Sequence, residues 1–306
     1  TYTMQIVMAF LMITMISVML PRAGVAAERI QEVLDTRPSI HDPSASRDGE
    51  LEKAKGELTF EDVSFRYEGA AEDALEHISF TAKPGETTAI IGSTGCGKST
   101  LIHLIPRFYD VTAGRILIDG VDIREISQHK LRSLLGFVPQ KGNLFSGDIA
   151  SNIKYGGSHI SDEKMIEAAE IAQATEFIDS KPEGYESPIA QGGSNVSGGQ
   201  KQRLSIARAI AKDPKIFLFD DSFSALDYKT DMVLRKALHE KIEDATIIIV
   251  AQRISTILHA NQIIVLDDGK VAGIGTHEEL LATCGAYQEI ARSQLSEAEL
   301  KGGSAS

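Results

Sequence analysis

The sequence predicts an α/β fold: a mostly parallel sheet with helices on its faces, a mixed or antiparallel set of strands beside it, and an apolar helix ahead of both. Three features carry this expectation. Beyond residue 87, short strand-like runs alternate with helical patterns, as βα units around a parallel sheet do. Ahead of them, Leu58, Phe60, Val63, Phe65 and Tyr67 show the looser alternation of edge strands. From Met4 to Leu20 only Gln5, Thr14 and Ser17 are polar, and no charge occurs before Arg22.

At 306 residues and 42% hydrophobic composition, the chain can build one large domain or two small ones. Its net charge of −12 and lack of a Lys/Arg block argue against nucleic acid as the main partner. Two cysteines, Cys96 and Cys284, argue against a disulfide framework and fit a reducing, cytosolic setting.

The first apolar run is near the lower limit for a membrane span, which needs about 17–25 residues. A signal peptide would start with basic residues, and a buried soluble helix would be shorter and carry a polar stripe. The reading adopted is the end of a transmembrane helix whose beginning lies upstream, so the sequence is expected to be a piece of a longer chain. Arg22 and Arg29 then follow on the cytoplasmic side. Pro21 is expected to kink this helix or mark its exit. Val25, Ala26, Ile30, Val33 and Leu34 share one helical face and continue it to residue 34. Residues 35–56, rich in Pro, Ser and charge, read as a linker. A globular domain is expected over 57–295, with a tail at 296–306 whose end, Lys301–Ser306, is disordered or foreign to the fold.

Within that domain Ile78–Ala82 and Thr87–Ile91 read as strands, followed by Ile116–Ile118, Gly136–Pro139, Ile216–Phe219, Thr246–Val250 and Ile263–Leu266. Helices are expected over 98–105, 161–173, 198–211, 228–242 and 276–283, with 161–185 as a helical insert. No internal repeat is evident.

Gly92-Ser-Thr-Gly-Cys-Gly-Lys-Ser99 matches G-x-x-x-x-G-K-[ST] between a strand and a helix, the setting of a phosphate-binding loop. Its glycines let backbone N–H groups approach phosphate oxygens, and the following helix adds its positive end. Lys98 can reach the β- and γ-phosphates, and the Ser99 hydroxyl can ligate Mg²⁺. Ile216-Phe-Leu-Phe-Asp220 is a buried strand that ends in an acid and delivers Asp220 to the metal shell.

Val196-Ser-Gly-Gly-Gln-Lys-Gln-Arg203 resembles the signature motif of ATP-binding cassette (ABC) proteins, with Ser197 as N-cap and Gly198, Gly199 and Gln200 opening a helix. The resemblance covers residues 58–293 and implies the ABC cassette fold: a mixed core, a helical subdomain and an antiparallel β subdomain. It implies Mg-ATP as the cofactor, bound by Tyr67 (adenine stacking), Gly92, Ser93, Thr94, Gly95, Cys96, Gly97, Lys98, Ser99 and Thr100. Phe137-Val-Pro-Gln140 resembles the Q-loop, whose glutamine joins Ser99 and Asp220 around the metal. Ser224-Ala-Leu-Asp227 resembles the D-loop, which crosses a dimer interface. In this family two cassettes pair head to tail, and Ser197–Gln200 of one faces the nucleotide of the other. Each of these residues also has a plain structural reading: Tyr67 as edge-strand filler, Gln140 as a surface turn, Asp227 as a helix cap.

Gln140–Ile153 resembles the segment that follows the Q-loop in multidrug-type exporters. Pro188–Gly193 holds the place of their loop before the signature, without its usual acid. Two departures concern catalysis. The family places glutamate after the metal-binding aspartate, where this chain has Asp221. One methylene less withdraws the carboxylate by about 1.5 Å, and misplacing a catalytic group by about 1 Å costs on the order of a hundredfold. The family's switch histidine is replaced by Gln252, which hydrogen-bonds but cannot become a cation. Together they resemble the weak site of heterodimeric bacterial multidrug exporters. The expectation is therefore an ATP-binding subunit of a drug or lipid exporter in the plasma membrane, multi-pass, with its cassette in the cytoplasm. Its own site (Gln140, Asp221, Gln252) is weakly hydrolytic, and it pairs with a non-identical half-transporter. The alternatives are a homodimeric exporter or flippase with two slow sites, and a regulatory ABC ATPase.

Overall fold

The computed structural model describes residues 1–157, 159–242 and 244–295, so the expected tail at 296–306 lies outside the described residues. The chain divides into two compact units, Thr1–His41 and Asp42–Ser306.

The first unit is one helix, α1 (Tyr2–Asp35), with no buried residue. By length and composition it could cross a membrane. It continues past Pro21, which lies inside the helix. The Thr14 and Ser17 hydroxyls donate back to the carbonyls of Phe10 (2.9 Å) and Ile13 (2.8 Å), which satisfies these polar groups within the helix itself.

The second unit begins earlier than the linker reading implied. A 3-10 turn at Asp48–Leu51 buries Leu51, and Ala54 is buried after it. Asp42 accepts from the Gln128 amide N–H (2.9 Å), while Asp48 accepts from the Ser127 N–H and hydroxyl (2.8 and 2.6 Å). The segment has too few apolar residues to look like a packed element. Besides Leu51 and Ala54, these carboxylates hold it, occupying free N–H groups around the start of a short helix, α3 (Gln128–Ser133).

An antiparallel sheet has the order β2-β1-β4-β5, from β1 (Leu58–Phe65), β2 (Leu75–Ala82), β4 (Ala113–Ile118) and β5 (Val121–Asp122). The main sheet has the order β12-β11-β3-β10-β9-β6. In it β3 (Thr87–Gly92), β6 (Leu135–Val138), β9 (Ile216–Asp220), β10 (Thr246–Val250) and β11 (Gln262–Asp267) run parallel. The antiparallel edge strand β12 (Lys270–Gly275) closes one side. Both faces of this sheet are buried, which is why its strands read as near-continuous apolar runs. Ala89, Ile91, Phe217, Phe219, Ile247, Ile249, Ile263 and Val265 face one core. Ile90, Ile216, Leu218, Ile248, Val250, Ile264 and Leu266 face the other.

Helix α2 (Lys98–Leu104) follows β3. The expected insert is α5 (Asp162–Ile171) and α6 (Thr175–Asp179), preceded by α4 (Ile149–Ile153) and followed by a 3-10 turn at Gly184–Glu186. A two-stranded ribbon of β7 (Gly147–Asp148) and β8 (Pro188–Ile189) ties its ends together. Then come α7 (Gly198–Ala211), α8 (Tyr228–Lys241), α9 (His277–Thr283) and α10 (Gly285–Gln294). The sequence reading had not anticipated β12, α3, α4 or α10.

Candidate functional site

The register of the main sheet gathers the expected residues at one edge. Gly92 pairs with Leu266 and Val250 with Asp220, while Phe219 pairs with Val138, two residues before Gln140. The ends of β3, β9, β10 and β6 therefore open onto the same crevice, where ligands of open α/β sheets bind. A cleft of about 290 Å³ lies there, lined by Thr94, Gly95, Gly97, Lys98, Ser99, Thr100, Gln140, Asp220, Asp221, Val250 and Gln252.

The loop at Gly92–Gly97 owes its shape to its glycines. A Cβ on Gly92 would meet the Leu266 carbonyl at 2.1 Å and Cys96 Sγ at 2.6 Å. Gly97 has φ +100° and sits against Leu75, where a Cβ would come within 2.8 Å. Cys96 is buried inside the loop as a filler. Lys98 turns its Nζ back into the loop and donates to the carbonyls of Gly92 (2.8 Å) and Ser93 (2.6 Å). The exposed face of the loop is Ser93, Thr94 and Gly95. A curled backbone with an ammonium at its centre fits a polyphosphate.

Beneath the loop the Ser99 hydroxyl donates to Asp220 Oδ1 at 3.3 Å. Burial raises the Asp220 carboxyl above the usual range, and His103, with Nε2 3.7 Å from Asp220 Oδ2, acts against that rise. Among the described residues no group of three or more His, Cys, Asp and Glu could hold a metal by itself. A hydroxyl and one carboxylate fit Mg²⁺, which takes few protein oxygens and completes its shell with phosphates and water. His103 was missed in the sequence, although it lies four residues after Ser99 and hence on the same helix face.

Asp221 is buried, with the left-handed φ of +46°, a strained backbone for a non-glycine residue. The turn is held by the Asp221 N–H to the Val250 carbonyl (2.9 Å) and by the Ser224 hydroxyl to the Asp221 carbonyl (2.8 Å). Gln140, expected beside Ser99 and Asp220, instead donates to Asp221, and it meets Gln252 on one oxygen: Asp221 Oδ2 accepts from Gln140 Nε2 at 3.2 Å and from Gln252 Nε2 at 2.8 Å. Burial raises this carboxyl, and the Gln140 amide opposes the rise. The Gln252 segment is in turn fixed by Gln294 of α10. Gln294 donates to the Gln252 carbonyl and accepts from the Ile254 N–H, both at 2.8 Å. Nothing local in the sequence marks Gln294.

Tyr67 is exposed at the rim. Its ring meets Phe65 and Tyr109 edge-on, and its hydroxyl lies 3.0 Å from that of Thr100. Ser197 and Gln200 form a reciprocal capping box at the start of α7 (3.0 and 3.2 Å). A Cβ placed on Gly198 would touch nothing within 4 Å. Asp227 caps α8 by accepting from the Thr230 N–H (3.0 Å) and hydroxyl (2.7 Å), which holds its carboxyl below the usual range.

The profile of the ABC transporter family matches residues 75–224. The chain is similar to an uncharacterized ABC transporter ATP-binding protein of Mycobacterium tuberculosis, 49% identical over 300 residues, covering 96% of this chain and 50% of that one. It is also similar to an ATP-dependent lipid A-core flippase of Xanthomonas oryzae pv. oryzae, 41% identical over 291 residues, covering 95% and 49%. Among solved structures, a bacterial Atm1-family ABC exporter with ATP bound superposes with a TM-score of 0.82 and 37% identity, over 91% of this chain and 48% of that one. The chain thus spans about half the length of the curated relatives it matches. By motif order, sheet topology and sequence together, this chain carries an ABC transporter ATP-binding domain.

Proposed function

We propose that the chain is the ATP-binding part of an ABC exporter in the plasma membrane, coupling ATP binding and hydrolysis elsewhere in a dimer to efflux of drug-like or lipid-like molecules. In this reading its own cleft holds Mg-ATP with little turnover, and Ser197–Gln200 completes the working site of a non-identical partner. The observation that carries the reading is the double engagement of Asp221 Oδ2 by Gln140 and Gln252. A base must offer a free lone pair within reach of the water it activates. Here one oxygen of the shortened carboxylate is already held by two amides, which fixes the group toward Gln140 and Gln252 and leaves Oδ1 alone to meet a water. Gln252 adds no positive charge to offset what develops on the transferred phosphoryl group.

The remaining residues suit binding. Bound Mg²⁺ would neutralise phosphate charge; Ser99 and Asp220 would hold it, with Gln140 beside them. Lys98 would exchange its loop carbonyls for phosphate oxygens, and Tyr67 offers a ring face at the rim for a base. The test is ATP hydrolysis by the assembled transporter carrying Glu→Gln at the partner's catalytic position. The reading expects hydrolysis to collapse. Near-normal turnover in that variant, or steady turnover by this subunit as a homodimer, would favour two slow working sites instead.

A further inference from the structure

Gln202 lies one turn into α7 and is buried, with 1% of its surface exposed. A buried amide needs partners for both ends, and Gln202 finds them on either side of Gln140. Its Nε2 donates to the Pro139 carbonyl at 3.1 Å, and its Oε1 accepts from the Gly142 N–H at 3.0 Å. The loop between these two bonds rests directly on the helix. A Cβ on Gly142 would come within 2.8 Å of Ser205 Oγ and 2.9 Å of the Lys201 carbonyl. Further along α7, Arg208 Nη1 donates to the Asn143 carbonyl at 3.0 Å. Gln202, Ser205 and Arg208 follow one another at three-residue spacing, so a single ridge of α7 carries the whole Gln140 loop.

We propose that Gln202 is a positioning residue that locks the Gln140 loop to the signature helix. Nucleotide in the chain's own cleft and nucleotide presented to Ser197–Gln200 then act on one rigid piece. At one end of this piece Gln140 reaches Asp221 Oδ2. At the other, α7 begins at the capped Ser197, only five residues before Gln202. A shift of Gln140 when the cleft fills must drag α7 or break two hydrogen bonds in a dry setting, where unpaired amide groups are costly. The inference rests on the reading that the chain binds Mg-ATP in its own cleft. It does not require that ATP be hydrolysed there.

The test is amide hydrogen exchange on the full chain in detergent micelles, with and without Mg-ATP, for wild type, Gln202→Leu and Gln202→Glu. In wild type, Mg-ATP is expected to slow exchange at 92–100, at 140–142 and at 198–202 together. Gln202→Leu removes both bonds at similar volume; the response at 92–100 is expected to persist and that at 198–202 to be lost. If Gln202→Leu does not fold, Gln202→Glu carries the test. It keeps an acceptor for Gly142 but cannot donate to Pro139 when ionised, and is expected to weaken the response at 198–202. A merely structural Gln202 would lower the melting temperature and leave the two responses in step, which would overturn the proposal. So would a wild type that responds at 92–100 and not at 198–202. A wild type silent at 92–100 would instead overturn the binding reading beneath it.

Discussion

The phosphate loop and the signature terminus are both helix beginnings, and they are finished in opposite ways. Helix α2 starts after Gly97 without a side-chain cap, and its Lys98 is buried among loop carbonyls. Around it the chain supplies Ser99, Asp220, Asp221, Gln140 and Gln252. Helix α7 starts with a complete capping box, exposed at Ser197 and Gly198. The first terminus leaves its N–H groups for a ligand within a cleft of its own chain. The second has its cap satisfied and an open face at Gly198. On the proposed reading, one chain thus carries most of one site and a small part of another.

The largest expected effect separates the two. Lys98→Ala removes the ammonium from the loop, and truncating a buried charged partner costs about 2–5 kcal/mol, or roughly thirtyfold to several thousandfold in affinity. Equilibrium titration with Mg-ATP reads this loss; affinity unchanged within threefold would show that the loop does not grip phosphate. Gly198→Val probes the other side. A Cβ there touches nothing in this chain, so melting temperature and own-cleft affinity should hold. ATP hydrolysis by the assembled dimer should fall by about a hundredfold, the size of losing one transition-state donor. An equal loss of own-cleft affinity would erase the distinction between the termini.

A gain of function sharpens the same contrast. Asp221→Glu with Gln252→His should raise hydrolysis in this chain's own site by about ten- to a hundredfold, measured in a dimer whose partner site is disabled. Unchanged turnover would mean that the turn at Asp221, with its left-handed backbone, limits the site as much as its side chain does.

The smallest expected effect is a pH dependence behind the cleft. His277 Nδ1 lies 2.7 Å from the Tyr287 hydroxyl and links α9 to α10, whose Gln294 holds the Gln252 segment. Burial lowers the His277 pKa from 6.5, and it raises that of Tyr287 to about 12. The folded state therefore favours neutral His277. Its contribution is complete above pH 6.5 and is lost as pH falls through the unfolded value toward the depressed folded one. Melting temperature should drop between pH 7 and pH 5, less steeply in His277→Gln; equal slopes would remove His277 from this role.

Local chemistry explains what the sequence could tell. Helix α7 spans the expected 198–211 because Ser197 is a strong cap and the helix behind it has no breaker. The parallel strands were legible because burial on both faces leaves near-continuous apolar runs. Strand β12 was not, since Lys270–Gly275 carries two glycines and alternates only between exposed and half-buried positions. Helix α10 opens on Gly285 without a side-chain cap and is held by the burial of Tyr287 and Ala291, a tertiary effect. In the site, spacing could have found His103. The convergence of Gln140 and Gln252 on one oxygen of Asp221 joins three segments far apart in sequence, and no local pattern encodes it.

Both thiols of the chain, Cys96 and Cys284, are buried. Both are far less open to a thiol reagent than a cysteine on the surface of this chain would be. A cysteine introduced at exposed Tyr228 or Lys229, beside the capped start of α8, would be a singular handle for a fluorophore or spin label. Pairing of two cassettes could then be followed in real time on otherwise native protein.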